Sequence, residues 1–244
     1  MNACVFVGPT LWCDPVPDGI VRFAPAALGS VFRAVEAGFE RIGIVDGLFG
    51  NAPAVWHKEI LFALSKGVEV LGAASMGALR AAELSACGMS GVGAIYRMYR
   101  RASWTDDDEV AVLHAPGELA YQPLSESMAD IRFTLRRLRA RRTIDAALEA
   151  ELVRRMKALH FAARTVAELE RQWIEVLGSA HGRAAFASFG ALRVEAKRRD
   201  ALALLARMAA RGPVHRVPRP DVFAATRHWK RQFVTRLSDI PPLH

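Results

Sequence analysis

Three short, largely apolar runs in the first third of the chain, ACVFV, RIGIV and VEVLG, place the strongest constraint on its fold. Each ends in a turn signal: GPT, DGLFG and the small-residue stretch GAASMG. Between them lie ALGSVFRAVEAG, with helical spacing stopped by Gly38, and PAVWHKEILFALSKG, an amphipathic helix opened by Pro53 and closed by Gly67. MGALRAAELSACG continues the pattern as a third helix, and DDDEVAVLHAP reads as a late strand ending near His114. Strands that are apolar throughout, rather than at alternate positions, belong in a sheet covered on both faces. The expected fold class is therefore α/β, a Rossmann-like and largely parallel sheet.

The remainder of the chain changes character. IDAALEAELVRRMKALHFAA, VAELERQWIEVLG and RVEAKRRDALALLARMAARG all carry helical periodicity. RGPVHRVPRP reads as a proline-broken linker before a last aromatic-basic segment, ATRHWKRQFVTRL. Charge follows the same division: residues 1–130 hold nine Lys/Arg against fifteen Asp/Glu, and residues 131–244 hold twenty-four against ten. The expected organisation is an α/β core over 1–130 and a helical, basic appendage over 131–244.

With 52% hydrophobic and 24% charged residues, the chain has the composition of a globular protein. No apolar run reaches the roughly 18 residues of a membrane span, and MNACVFVGPTLWCDP lacks signal-peptide features, so a cytoplasmic location is expected. Cys4, Cys13 and Cys87 have no metal-ligand spacing, and each reads as a buried small apolar residue. The acidic run Asp106 to Glu109 suggests a metal by residue type, but three consecutive carboxylates point in different directions, so it reads as a helix cap or solvated turn. Zinc, P-loop and dinucleotide fingerprints are absent, so no metal or cofactor is expected.

Ligands of open α/β sheets bind beyond the carboxyl ends of the strands, which gathers Thr10, Asp46 and Ser75 on one edge. Ser75, in AASMG, sits close to a nucleophile-elbow pattern, with Ala73 in place of the first glycine. Its competing role is a helix N-cap. As a nucleophile it needs a base. From Lys58 to Lys66 the helix travels roughly 12 Å, and the strand from Val68 to Gly72 returns about 13 Å. Lys58 thus comes back level with the Ser75 turn, and a Ser–Lys pair uses a desolvated neutral amine as base. His57 competes for that role, and Lys58 also reads as a solvated helix charge. Met76 and Gly77 N–H groups are the oxyanion candidates. Asp46 orients the base, holds a substrate amide or makes an Asx-turn.

VFVGPTL, RIGIVDGLF, AVWHKEILFALSKGVEVLGAASMGALRAAEL, GMSGVGAIYRMYR, DDDEVAVLH and YQPLSESMADIR together resemble the TfuA-like core domain, from about residue 4 to residue 134, with nothing comparable after residue 140. Asp130 stands where the family pattern has an amide. The resemblance implies a partner of YcaO enzymes, which replace the oxygen of a peptide backbone amide with sulfur. Such a protein cleaves the C-terminal thiocarboxylate of a ThiS-like carrier and helps YcaO engage its precursor peptide. The implied Ser–Lys pair falls on Ser75 and Lys58. A rival reading is a non-catalytic adaptor that activates YcaO, and a third is a nucleotide-binding regulator with its basic tail on DNA. Arg132, Arg136 and Arg137 are candidates for docking an acidic protein partner, or form a solvated face; nucleic acid is disfavoured because its motifs are absent.

Overall fold

The computed structural model describes residues 2–48, 53–210 and 218–235. Its first part runs β1 (Ala3–Phe6), β2 (Ile20–Phe23), α1 (Ser30–Glu36), β3 (Arg41–Ile44), α2 (His57–Ser65), β4 (Glu69–Ala73), α3 (Met76–Leu84), β5 (Ser90–Val92) and α4 (Gly93–Arg100). The five strands form one sheet in the order β2-β1-β3-β4-β5, every pair parallel. This is a doubly wound order, and its direction of growth reverses between β1 and β3. Phe6 lies level with Ile44, and Ile44 with Gly72, so the segments leaving β1, β3 and β4 emerge side by side. The α/β, largely parallel sheet expected from the apolar runs is the fold observed.

Two strands escaped the sequence pattern. β2 is an edge strand with both central residues exposed, Arg22 reaching back to the Leu11 and Asp14 carbonyls, so it lacks the continuous apolar signal of β1 and β3. β5 is three half-buried residues, SGV. The expected strand DDDEVAVLHAP is instead a 3-10 turn at Asp107–Glu109, and His114 makes an isolated antiparallel bridge to Pro123. Helix α2 starts at His57 rather than Pro53, where the Glu59 carboxylate accepts the Trp56 N–H at 3.1 Å and closes the helix's first turn. Cys4 is buried as expected, but Cys13 is exposed.

The chain divides into two compact units, Met1–Thr105 with Arg198–His244, and Asp106–Lys197. The boundary expected at 130–131 falls within the second of these units. The second unit packs α5 (Met128–Ala140), α6 (Ala146–Ala158), α7 (Val166–Leu177) and α8 (Ser179–Ala191) around Ile131, Leu135, Leu152, Leu169, Trp173 and Phe189.

The reason for the division is α9 (Ala196–Ala209), which from Arg198 onward belongs to the first unit. Helices α1, α2 and α3 cover only one face of the sheet, where Val31, Ile60, Ala63 and Ala81 meet Cys4, Phe6, Ile42, Ile44 and Val70. On the other face, Ala201, Leu204, Leu205 and Met208 of α9 pack on Val5, Val45, Leu71 and Ala73. A parallel sheet needs both coverings. Gly43 leaves room for α9: a Cβ there would sit 2.5 Å from Met208 Sδ. Polar contacts fix the helix in place. Arg198 binds Asp14 through both Nε and Nη2, Asp200 accepts the Ile95 N–H at 2.8 Å, and Arg41 Nη1 donates to the Met208 carbonyl at 2.8 Å.

Beyond α9, residues 211–217 of the expected linker lie outside the described residues, as do Phe49 and Gly50 of the DGLFG turn. The segment 218–235 includes α10 (Arg227–Trp229), continued by a π-helical turn at Lys230–Thr235. It lies against α1 and α2, with Trp229 and Phe233 buried among Phe32, Phe62, Trp56 and Phe223.

Candidate functional site

Between β4 and α3 the backbone turns within two residues. Ala74 has φ 64°, left-handed at a non-glycine position, and the Ser75 N–H donates to the Ala73 carbonyl at 2.8 Å. A three-residue turn with a positive central φ is rare and strained. Ser75 follows at φ −116°, ψ −126° and occupies the N-cap position of α3, yet its hydroxyl makes no capping hydrogen bond. The cap reading of Ser75 is therefore realised in position but not in bonding. The residue is 4% exposed.

The turn is held tightly against the sheet. A Cβ on Gly77 would lie 1.8 Å from the Ile44 carbonyl oxygen, and one on Gly72 would lie 2.0 Å from the Gly77 carbonyl oxygen. Both positions admit only glycine, since backbone cannot yield as a side chain can. The same closeness settles one oxyanion candidate: the Gly77 N–H donates to the Val45 carbonyl at 3.2 Å. The role assigned to Gly77 is thus corrected to packing. Met76 keeps its candidacy, because the first N–H groups of a helix have no intrahelical acceptor.

Asp46 and Thr10 meet beside this turn, at the crevice between β1 and β3. Asp46 Oδ2 accepts the Gly8 and Thr10 N–H groups at 2.9 and 3.0 Å, and Oδ1 accepts the Thr10 hydroxyl at 2.6 Å. Both side chains are buried. The pair joins the two loops at the position where sheets of this order hold ligands, and its carboxylate is spent on protein donors.

His57 and Lys58 come together elsewhere on the same unit. They line a cleft of about 380 Å3 with Pro53, Ala54, Val55, Trp56 and Arg80, a set that does not include Ser75. His57 Nε2 lies 2.7 Å from Glu83 Oε2, and Arg80 Nη1 donates to the same oxygen at 2.8 Å. Burial works to raise the Glu83 pKa, but these two hydrogen bonds and the adjacent charges hold it below the ordinary value. Lys58 Nζ donates to Thr226 Oγ1 at 2.9 Å and lies 5.9 Å from the Phe223 ring centroid. The level return of Lys58 expected from chain lengths leaves its amine against the C-terminal segment.

One acid in this region was visible in the sequence only as part of WHKEI. Glu59 is fully buried and accepts N–H groups from Trp56 at 3.1 Å and Phe32 at 3.3 Å, so one carboxyl caps α2 and binds the first turn of α1. Desolvation pushes its pKa up to about 7 against the opposing pull of its backbone donors. An acid in the first turn of a helix was the available signal; its contact with a second helix end was not.

In the second unit, Asp106, Asp108 and Glu109 converge rather than diverge, with ligand oxygens within 4.8 Å of one another. Cations of the protein occupy that convergence. Lys157 Nζ lies 3.0 Å from Asp106 and 3.1 Å from Glu109 and also binds Asp108, whose second oxygen takes Arg164 at 2.5 Å. Arg132, expected to dock a partner, grips Glu109 with two bonds of 2.8 Å. Arg136 and Arg137 are exposed on α5, Arg136 with its guanidinium 5.7 Å from the Phe133 ring. Asp130 accepts from the Lys197 N–H and the Ser127 hydroxyl, both at 3.0 Å, and desolvation raises its pKa.

The segment carrying most of these features also matches a family. Residues 46–165 match the TfuA-like protein family model. Over that span, just under half of the chain, the sequence is similar to the TfuA-like family. No curated protein matches the chain. The match begins at Asp46, so Thr10 lies outside it, and it extends through α6 to Thr165 rather than ending near residue 134. The TfuA-like region thus contains the cleft-lining residues, the Ser75 turn and the acidic knot, while α9 and the C-terminal segment lie beyond it. Among the described residues no helix is long and apolar enough to cross a membrane.

Proposed function

We propose that this TfuA-like protein is a sulfur-delivery hydrolase that releases sulfide from a thiocarboxylated ThiS-like carrier for a YcaO-type enzyme acting on a precursor peptide. The observation that carries the reading is Ser75. It stands on a strained turn at the carboxyl edge of the sheet, at the head of α3. A helix N-terminus favours negative charge developing beside it.

In this reading the Ser75 oxygen attacks the thiocarboxylate carbon of the carrier's terminal residue, and its proton passes to Lys58 acting as the free amine. As the C–S bond breaks, the Lys58 ammonium returns that proton to the sulfur, and hydrosulfide leaves. Water then cleaves the acyl-serine, giving a carboxylate and regenerating the hydroxyl. The Met76 N–H serves the oxyanion. Lys58 must exchange its Thr226 partner to take part, and His57, paired with Glu83, is the alternative base.

A second reading has its own support. Ser75 is nearly inaccessible and absent from the cleft lining, while the Lys58 amine is hydrogen-bonded elsewhere. These observations favour a non-catalytic adaptor that activates YcaO and recruits its peptide. Incubating a thiocarboxylated carrier with wild-type protein or Ser75→Ala, with intact-mass detection and sulfide capture, separates the two. The hydrolase requires conversion to the carboxylate by wild type alone. An adaptor leaves the carrier intact, and its Ser75→Ala variant still activates YcaO fully.

A further inference from the structure

His57 and Lys58 on the first turn of α2 and Arg80 on α3 line one cleft, and neither hydrolysis at Ser75 nor an adaptor role uses the three together. Each is held by a neighbour and keeps donors to spare. The Arg80 side chain is only 13% exposed, and Nε on the Val55 carbonyl at 3.3 Å and Nη1 on Glu83 at 2.8 Å fix its guanidinium in one orientation. These bonds occupy two of its five N–H donors. Lys58 spends one of its three donors on Thr226 Oγ1, and the Phe223 ring centroid lies 5.9 Å from Nζ, a contact that attracts a cation. His57 Nε2 is committed to Glu83 at 2.7 Å, and protonation gives the ring an N–H at both nitrogens. Glu83 is the acid against these groups; Glu59, next to Lys58 in sequence, is fully buried and accepts the Trp56 and Phe32 N–H groups. Two cations less one acid leave about one positive unit, and about two once His57 is protonated.

The number and origin of the donors select the anion. A carboxylate is planar, and a single guanidinium fork satisfies it. A phosphoryl group carries up to two charges on three acceptor oxygens, so it calls for several donors arriving from different directions. Here they arrive from two helices, as a guanidinium, an ammonium and an imidazole. The cleft, about 380 Å3, is far larger than a phosphoryl group, and the rest of its lining is Pro53, Ala54, Val55 and Trp56. An apolar lining with a few charged groups suits a small organic ligand. The cleft therefore fits the carbon skeleton of an ester as well as its phosphoryl group.

We infer that the cleft at the head of α2 binds a small phosphate monoester, with Arg80 and Lys58 holding the phosphoryl oxygens. The inference rests on the cleft alone and goes beyond the sulfur-delivery reading. It uses Lys58 as the ammonium, whereas the hydrolase needs the free amine, so a filled cleft and a working base are alternative states of one residue. The prior positioning of the Arg80 guanidinium by Val55 and Glu83 limits the ordering needed on binding.

The test is calorimetry on the full-length protein. The probes are adenosine 5′-monophosphate, ribose 5-phosphate, adenosine and inorganic phosphate. At least one ester is expected to bind about tenfold or more tightly than both adenosine and inorganic phosphate. Arg80→Gln and Lys58→Gln should each lose about tenfold in affinity for that ester, since charge-assisted bonds carry the contact. Arg137→Gln removes an exposed charge of α5 outside the cleft and should leave the affinity unchanged. Comparison among ligands uses wild-type protein only, so it holds even if a variant misfolds; circular dichroism and melting check the variants. Esters that bind no more tightly than adenosine overturn the inference, as does inorganic phosphate that equals them. So does a folded Arg80→Gln with unchanged affinity, or an equal loss in Arg137→Gln. Failure of the sulfur-delivery reading shows in carrier conversion and leaves these affinities untouched.

Discussion

The Thr10 hydroxyl donates to Asp46 Oδ1 across 2.6 Å, while the other carboxylate oxygen takes the N–H groups of Gly8 and Thr10. Residues from two loops thus close the crevice that the strand order opens between β1 and β3. Asp46 follows β3 by two residues, where the TfuA-like match begins, but its observed bonds are those of a structural clamp.

Replacing Asp46 by Ala should therefore act first on stability. Two buried N–H donors and a hydroxyl lose their acceptor, at about 1–3 kcal/mol for each unsatisfied group. Urea denaturation is expected to show a loss of about 3 kcal/mol or more. A variant of unchanged midpoint and reduced carrier conversion would instead assign Asp46 to the chemistry.

Glu59 predicts a pH dependence of known sign. Its folded pKa, about 7, exceeds the ordinary value of 4.5 because burial outweighs its backbone donors. The folded state then holds the proton more tightly than the unfolded chain. Its contribution is fully present below pH 4.5 and is lost as pH rises through about 7, by about 3 kcal/mol. Chemical denaturation from pH 5 to pH 8 should show wild-type stability falling relative to Glu59→Gln, whose side chain cannot ionise. Parallel profiles would remove Glu59 as the source.

Gly77→Ala tests the elbow. The added Cβ meets the Ile44 carbonyl oxygen at 1.8 Å, and neither α3 nor β3 can move without disturbing the other. Overpacking against backbone should destabilise by about 3 kcal/mol or more, read as a lower melting temperature together with loss of soluble protein. Ser75→Ala, which changes no packing contact of that kind, should melt close to wild type.

Leu204→Ala tests whether α9 belongs to the core. Leu204 is fully buried on the sheet face and touches the space above Gly43. A loss of about 2–5 kcal/mol is expected from the cavity and the lost transfer energy. A change within about 0.5 kcal/mol would return α9 to the status of an appendage.

The apolar runs ACVFV, RIGIV and VEVLG were enough to specify a parallel sheet, because a strand buried on both faces carries its burial in every residue. The GAASMG turn was readable for a similar reason: glycines and alanines mark where a helix passes within contact distance of strands. Lys58, His57 and Arg80 could be named or passed over in the sequence, but their partners could not. Thr226, Glu83 and Val55 are separated from them by 168, 26 and 25 positions. The acidic run at Asp106–Glu109 was legible as charge, while its pairing with Lys157, Arg164 and Arg132 required α5 and α6 to be in place. Most decisively, the apolar stripe of α9 looked like that of any amphipathic helix. Local periodicity determines that a helix has a face to bury; only the tertiary structure decides what that face covers, because burial is a relation between segments distant along the chain.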